Sequence, residues 1–317
     1  MATSQKDAQK KQINMKTLTV GDLTWVDIVQ PTKETAEYLA EQYNFHPMDL
    51  EDSLSVRQLA KIEEYPKYLF IVFHFQTYEK MTRISTRKQW SVFVGDNFLI
   101  TLHPAELKTT DDVFRECGLN AEIRQDYMGH GAGYLLYQIL DRAVDSYFPV
   151  LDKIASLLSD IEDSVFNEQI EAAEELSTLR RDIVTQRRVM FPTRTLLIEL
   201  ENKLKRFAKI DLTIYYSDLM DHINKICEAL DESRETIEIY KDADYLLSSY
   251  RANRGIRLQT VMLTIVLPLL ALFGLVFTYV TLRGIDVSSP QIFPIVLVIA
   301  VVIIGGILFA FRRRRLI

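Results

Sequence analysis

The residues best suited to handling an ion lie near the end of the chain. Asn253, Ile256, Thr260, Leu267, Leu270, Gly274 and Thr278 recur at the steps that place side chains on one face of a helix. That face is polar at its ends and apolar between them. Several copies arranged around an axis would line a narrow passage with a polar mouth and a middle able to close by dewetting. Thr and Gly also serve plain helix packing, so the stripe by itself leaves both readings open.

A second group precedes it. Asp218, Asp221, Glu228, Asp231, Glu232, Glu235, Glu238, Asp242 and Asp244 outnumber Lys225, Arg234 and Lys241. Carboxylates are hard ligands for magnesium or calcium, and their mutual repulsion would spread neighbouring helices when an ion leaves. A solvated helix face is the ordinary alternative. The five histidines, His46, His74, His103, His130 and His222, form no HxH or HxxxH pair, so spacing gives soft-metal ligation little support. Cys117 and Cys227 are far apart and form no CxxC pair, which argues against a disulfide framework or zinc knuckle. There is no Gly-rich phosphate loop, GxSxG elbow or nucleotide signature. Enzymatic chemistry, a resident cofactor and nucleic-acid binding are therefore not expected, and any divalent cation would be substrate or regulator.

The elements that position these groups are unevenly solvated. The net charge of -6 and 25% charged residues describe a soluble acidic protein. From Leu258 to Leu282, and again from Ile292 to Phe311, there is no charge. Each run reaches the ~20 apolar residues that span hydrocarbon. Residues 258–282 and 292–311 are thus expected as transmembrane helices, joined by an external loop at 283–291. Arg251, Arg254 and Arg257 precede the first run, and Arg312, Arg313, Arg314 and Arg315 follow the second, which predicts a multi-pass protein of the cell (inner) membrane with both termini cytoplasmic. The four terminal arginines would contact lipid headgroups and, in a ring, form a basic girdle that hinders cation passage.

Upstream, residues 1–14 read as a disordered polar tail and 15–133 as a compact domain in which short strands and helices alternate. The expected elements are a strand at Thr24–Ile28, a helix capped by Thr32 through Tyr43, a helix opened by Pro47 through Leu54, strands at Tyr68–Gln76, Trp90–Val94 and Phe98–Leu102, and a helix from Ala105 to Cys117. Residues 134–257 read as a helical stalk. The stripe from Leu136 to Val165 predicts one amphipathic helix, Glu171 to Met190 a partner ended by Pro192, and Thr193 to Ala208 a further segment. Between Leu212 and Tyr250 there is neither Gly nor Pro, so the last helix should run into the first span and reach about 100 Å.

Several motifs resemble the CorA superfamily of cation channels and transporters. They are Pro31-Thr32-Lys33-Glu34, Tyr38-Leu39-Ala40, His46-Pro47, Leu50-Glu51-Asp52, Arg57-Gln58, Lys61-Ile62-Glu63-Glu64-Tyr65, Asn97-Phe98-Leu99-Ile100-Thr101, Tyr147-Phe148-Pro149-Val150-Leu151, Tyr215-Tyr216-Ser217-Asp218 and Asp221-His222. Pro268 inside the first span and the terminal basic cluster complete the order. The resemblance implies an α+β cytoplasmic domain (an α/β/α sandwich), a long helical stalk, two C-terminal transmembrane helices, and assembly into a funnel-shaped homopentamer embedded in lipid. It also implies that the stripe lines a pore and that Asp218 belongs to a metal site at a subunit interface. The acidic partner expected from the N-terminal domain is missing, since Lys80 to Lys88 carries Arg83, Arg87 and Lys88.

One departure bears on selectivity. Magnesium-transporting members end the first span with Gly-Met-Asn, whereas here, anchored on Pro268, the same place holds Phe277, Thr278 and Tyr279. A ring of carboxamides accepts hydrogen bonds from a hydrated ion without stripping its water. Thr278 hydroxyls and Tyr279 phenols offer weaker oxygen contacts, or Thr278 caps a helix end and Tyr279 anchors at the membrane interface. The expected function is conduction of cations, divalent metal ions such as magnesium among them, with weakened or altered selectivity. The alternatives are transport of zinc or another ion, or a non-conducting scaffold or regulator of the same architecture.

Overall fold

The computed structural model describes residues 14–55, 58–79, 84–166 and 172–283, together with 298, 301, 302, 304–306 and 309. The chain divides into two compact units, 1–242 and 243–317. In the first, strands β1 (Met15–Val20), β2 (Leu23–Val29), β3 (Lys61–Glu64), β4 (Tyr68–Glu79), β5 (Ile84–Gly95) and β6 (Phe98–His103) form one sheet in the order β1-β2-β6-β5-β4-β3. Among the described residues only the β2–β6 pair is parallel; the other pairs are antiparallel.

Both faces of this sheet are covered, as the alternation of buried side chains requires. On one face Val26, Ile28, Phe70, Phe93 and Ile100 pack with Leu39 of α1 (Lys33–Tyr43), Leu50 of α2 (Pro47–Leu54) and Phe45 between them. Phe45 stacks on Phe93 with ring centroids 4.2 Å apart. Thr32 begins α1 with Thr35 accepting its N–H at 3.0 Å, and Asn44 ends it in the left-handed region at φ 53°. On the other face Trp25 meets Phe114 of α3 (Lys108–Leu119) edge-on at 4.8 Å. Trp25 Nε1 donates to Thr101 Oγ1 at 3.1 Å, which donates to Asp27 Oδ1 at 2.6 Å. His103 Nε2 lies 3.1 Å from the same oxygen, and both partners are fully buried. Burial alone would lower the His103 pKa, but the bond and charge of Asp27 outweigh it and raise it. This buried pair pins the parallel seam.

The helices that follow belong to the same unit: α4 (Ala121–Gly129), α5 (Ala132–Asp145), α6 (Phe148–Phe166), α7 (Ala172–Leu204) and, after a 3-10 turn at Lys205–Phe207, the start of α8 (Thr213–Arg283). The change of texture at residue 134 therefore separates kinds of secondary structure, while the compact unit runs on to Asp242. The strand at Met15–Val20 and helix α4 go beyond the sequence reading; α4 is capped by Asn120, whose Oδ1 accepts from Glu122 N at 2.8 Å. Helix α3 starts at Lys108 instead of Ala105, because Pro104 to Leu107 forms a turn closed by Leu107 N donating to Pro104 O.

Two helix boundaries correct the sequence reading. The single stripe expected from Leu136 to Val165 is broken between α5 and α6. Pro149 stands in the first turn of α6 and has no N–H to give the preceding turn, so the chain restarts there. Tyr147 is buried in the break and donates its hydroxyl to Gln76 Oε1 at 2.8 Å. Pro192, expected to end a helix, lies inside α7. An internal proline costs about 3 kcal/mol. Val189, Met190, Thr193, Leu196 and Leu197 on both sides of it are buried, and that packing outweighs the missing backbone bond.

Helix α8 is 71 residues long and passes through Pro268. In the first unit Tyr216, Leu219, Ile223, Ile226, Leu230 and Ile237 form its buried stripe. Of its acids, Asp218, Asp221, Glu228, Glu232, Glu235 and Asp242 are exposed, while Asp231 pairs with Arg187 at 2.5 Å and Glu238 with Arg180 at 2.8 Å, both from α7. In the second unit α8 contains an 18-residue window of mean hydropathy 2.5, none of it buried.

Candidate ion path and metal centre

The seven residues of the expected pore line all lie on α8 and all are exposed in the single chain. At roughly 100° per residue they fall within an arc of about 100°. Thr278 lies about 20° inside that arc, Phe277 about 20° outside it and Tyr279 about 80° outside it. A regular helix thus cannot turn all three of the last residues toward one axis.

The threonines are bonded along the helix. Thr260 Oγ1 donates to Ile256 O at 2.8 Å and Thr278 Oγ1 donates to Gly274 O at 2.8 Å. With its proton committed to the backbone, each oxygen presents only lone pairs outward, suiting it to accept from water on a hydrated cation. A Cβ at Gly274 would meet nothing within 4 Å in the single chain. The loop at 284–291 and Arg312, Arg313, Arg314 and Arg315 lie outside the described residues. Of the second expected span, residues 298, 301, 302, 304–306 and 309 are described, and they are helical.

Asp218 does gather partners, though not those sought in the sequence. It stands one turn before His222 on α8, facing Asp141 and Asp145, themselves one turn apart on α5. Asp141, Asp218 and His222 bring one ligand atom each to within 4.8 Å of one another. His222 Nδ1 is 2.8 Å from Asp145 Oδ1, and its Nε2 is 3.9 Å from Asp218 Oδ1. Phe148 meets the imidazole edge-on at 5.5 Å. With Nδ1–H donated to Asp145, a neutral imidazole would turn its Nε2 lone pair toward Asp218, an arrangement common where a carboxylate orients a metal-binding histidine.

Asp141 is the strained member. Its Oδ1 is buried without a hydrogen-bond partner. Burial raises its pKa, the Asp145 carboxylate raises it further, and His222 only partly offsets the effect. A cation among these groups would relieve both the repulsion and the orphaned oxygen. The legible signal is a pair of four-residue spacings, Asp141 with Asp145 and Asp218 with His222; a search for histidine pairs passes over it. Lys80, Met81, Thr82 and Arg83, where the acidic partner was sought, lie outside the described residues, and Lys88 is paired with Glu106 at 2.7 Å.

A mixed-sheet domain whose last helix continues as an uncovered apolar segment long enough to cross a bilayer defines a membrane protein with a large extramembrane part. Residues 20–313 match the family described as CorA-like Mg2+ transporter protein, and the chain belongs to that family. It is 28% identical to YfjQ of Bacillus subtilis over 79% of this chain and 76% of that one. It is 26% identical to the cobalt/magnesium transport protein CorA of Thermotoga maritima over 89% of this chain and 81% of that one. The structure of the CorA magnesium transporter from Methanocaldococcus jannaschii superposes with a TM-score of 0.74 at 21% identity, covering 93% of this chain and 92% of that chain, which shows the shared fold. The family is one of ion transporters, not enzymes.

Proposed function

We propose that this chain forms a homopentameric channel for divalent metal ions, with the α8 stripe from Asn253 to Thr278 lining the pore and both termini in the cytoplasm. The observation that carries the reading is the stripe itself. In a chain of this family, a helix long enough to span a bilayer leaves Ile256, Leu267 and Leu270 uncovered on the same face as Asn253, Thr260 and Thr278. Around a five-fold axis those aliphatic rings form a dry constriction between polar ends. Thr278 then takes the place of the Asn ring, and the arginines at 312–315 form a girdle against lipid headgroups at the cytoplasmic face.

The Asp141, Asp145, Asp218 and His222 cluster is the regulatory metal centre in this reading, holding α5 to α8 when an ion is bound. Its imidazole favours a second reading of the metal. Magnesium takes oxygen ligands almost exclusively, whereas cobalt, nickel and zinc accept nitrogen readily. A later transition metal is therefore the better fit to this centre, whichever divalent ion passes the pore.

Native mass spectrometry in mild detergent tests the assembly on which the pore depends. The expected result is a five-chain species. A stable monomer or dimer would remove the pore reading, because one copy of the stripe encloses nothing.

A further inference from the structure

We propose that α8 holds an anionic phospholipid where the helix enters its apolar run, with the lipid phosphate between Arg254 and Arg257 and an acyl chain over Leu258 and Val261. The inference rests on the reading above in taking the run that begins at Leu258 as a bilayer span and the stripe as its pore face. The four residues are neighbours on one helix surface. Arg257 and Leu258 follow Arg254 by three and four positions, and Val261 follows them by four and three. At roughly 100° per residue they occupy an arc of about 100°, whose centre lies about 140° from that of the stripe from Asn253 to Thr278. The patch thus turns away from the pore. Arg254 and Arg257 are exposed, and so is Leu258.

Their height matches the headgroup layer. A bilayer ~40–45 Å thick with a ~30 Å hydrocarbon core leaves about 5–7 Å of polar layer on each side. Arg257 directly precedes Leu258, and Arg254 stands about 4.5 Å before Arg257 along the axis, so both fall within that layer. Helical side chains lean toward the N-terminus, which carries both guanidinium groups away from the hydrocarbon and leaves Leu258 and Val261 at its upper edge.

Charge selects the class. Where α8 carries acids, cations pair with them: Arg180 with Glu238 at 2.8 Å, Arg187 with Asp231 at 2.5 Å and Lys241 with Glu238 at 3.4 Å. From Tyr245 to Ile285 the chain has no Asp or Glu, and among the described residues Arg254 and Arg257 form no ion pair. Two cations at headgroup depth without a carboxylate of their own draw their anion from outside the chain. A guanidinium meets two phosphate oxygens with parallel N–H bonds. A zwitterionic lipid brings an ammonium as well, and this stretch of α8 has no acid to receive it. An anionic headgroup brings the phosphate without the ammonium.

Native mass spectrometry of the full chain tests this, with the protein delipidated in mild detergent and titrated with phosphatidylglycerol or with phosphatidylcholine of the same acyl chains. One phosphatidylglycerol per chain is expected to bind at least roughly 10-fold more tightly than phosphatidylcholine, since each arginine beside an anionic headgroup contributes about 5-fold. Arg254→Gln and Arg257→Gln should each weaken that lipid by about 5-fold, whereas Arg283→Gln, beyond the other end of the apolar run, should leave it unchanged. An unchanged affinity in the double variant would assign the headgroup to the arginines at 312–315 and overturn the proposal. No preference for phosphatidylglycerol, or an equal loss in Arg283→Gln, would overturn it too. Displacement of the lipid by soluble glycerol phosphate at matching concentration would overturn the lipid assignment in favour of a free phosphate. The same spectra count chains and lipids separately, so failure here in a five-chain species leaves the pore reading standing.

Discussion

Cobalt hexammine, a rigid mimic of a fully hydrated cation, is expected to inhibit cation flux through this chain at least roughly 10-fold less potently than it inhibits a Gly-Met-Asn relative assayed alongside. The reason is the number of acceptors. A ring of Asn side chains offers carboxamide oxygens to the N–H or O–H groups of the ion's shell. Here Phe277 offers none and Tyr279 falls outside the arc of the stripe. Thr278 offers one oxygen per chain, its proton already donated to Gly274 O at 2.8 Å. Removing a matched acceptor costs about 1–3 kcal/mol, so a single unmatched hydrogen bond to the hydrated ion already accounts for the expected change. Phe277 also removes the Gly that would let backbone approach the ion. Inhibition as tight as in the relative would mean that Thr278, Tyr279 or loop residues such as Asp286 rebuild the filter.

The second large effect concerns the cytoplasmic cluster. Divalent metal should protect the region around α5 and α8 from protease in the intact protein, and Asp218→Ala should abolish that protection. His222→Ala should weaken protection by cobalt by about 10-fold or more while leaving protection by magnesium nearly unchanged, because only the later metal uses the Nε2 lone pair. The Asp145 contact at 2.8 Å already orients that nitrogen in the absence of metal. Equal protection in wild type and Asp218→Ala would return Asp218 to a solvated position. Equal loss for both metals in His222→Ala would show that the imidazole serves structure instead of ligation.

Local signals are legible in the sequence where they are strong. Thr32 and Pro47 fix the starts of α1 and α2, and the absence of Gly and Pro from Leu212 to Tyr250 announces α8. Two departures share one cause: tertiary packing decides what local chemistry leaves open. The stripe from Leu136 to Val165 keeps its periodicity across the break at Tyr147, because a buried residue in a turn looks the same as one on a helix face. At Pro192 the penalty is legible, but the burial of Met190 and Leu197 that outweighs it is not. The metal cluster is half legible. Asp218 stands out through resemblance, but Asp145 and His222 are 77 residues apart, and only the packing of α5 on α8 brings them together.

Ion flux into proteoliposomes, measured for magnesium, cobalt, nickel, zinc, potassium and chloride, tests the transport reading most directly. The expected result is flux of divalent cations with weak preference for magnesium among them, and none of chloride. Absence of flux for every ion would contradict it and identify a scaffold that keeps the family's architecture without conduction.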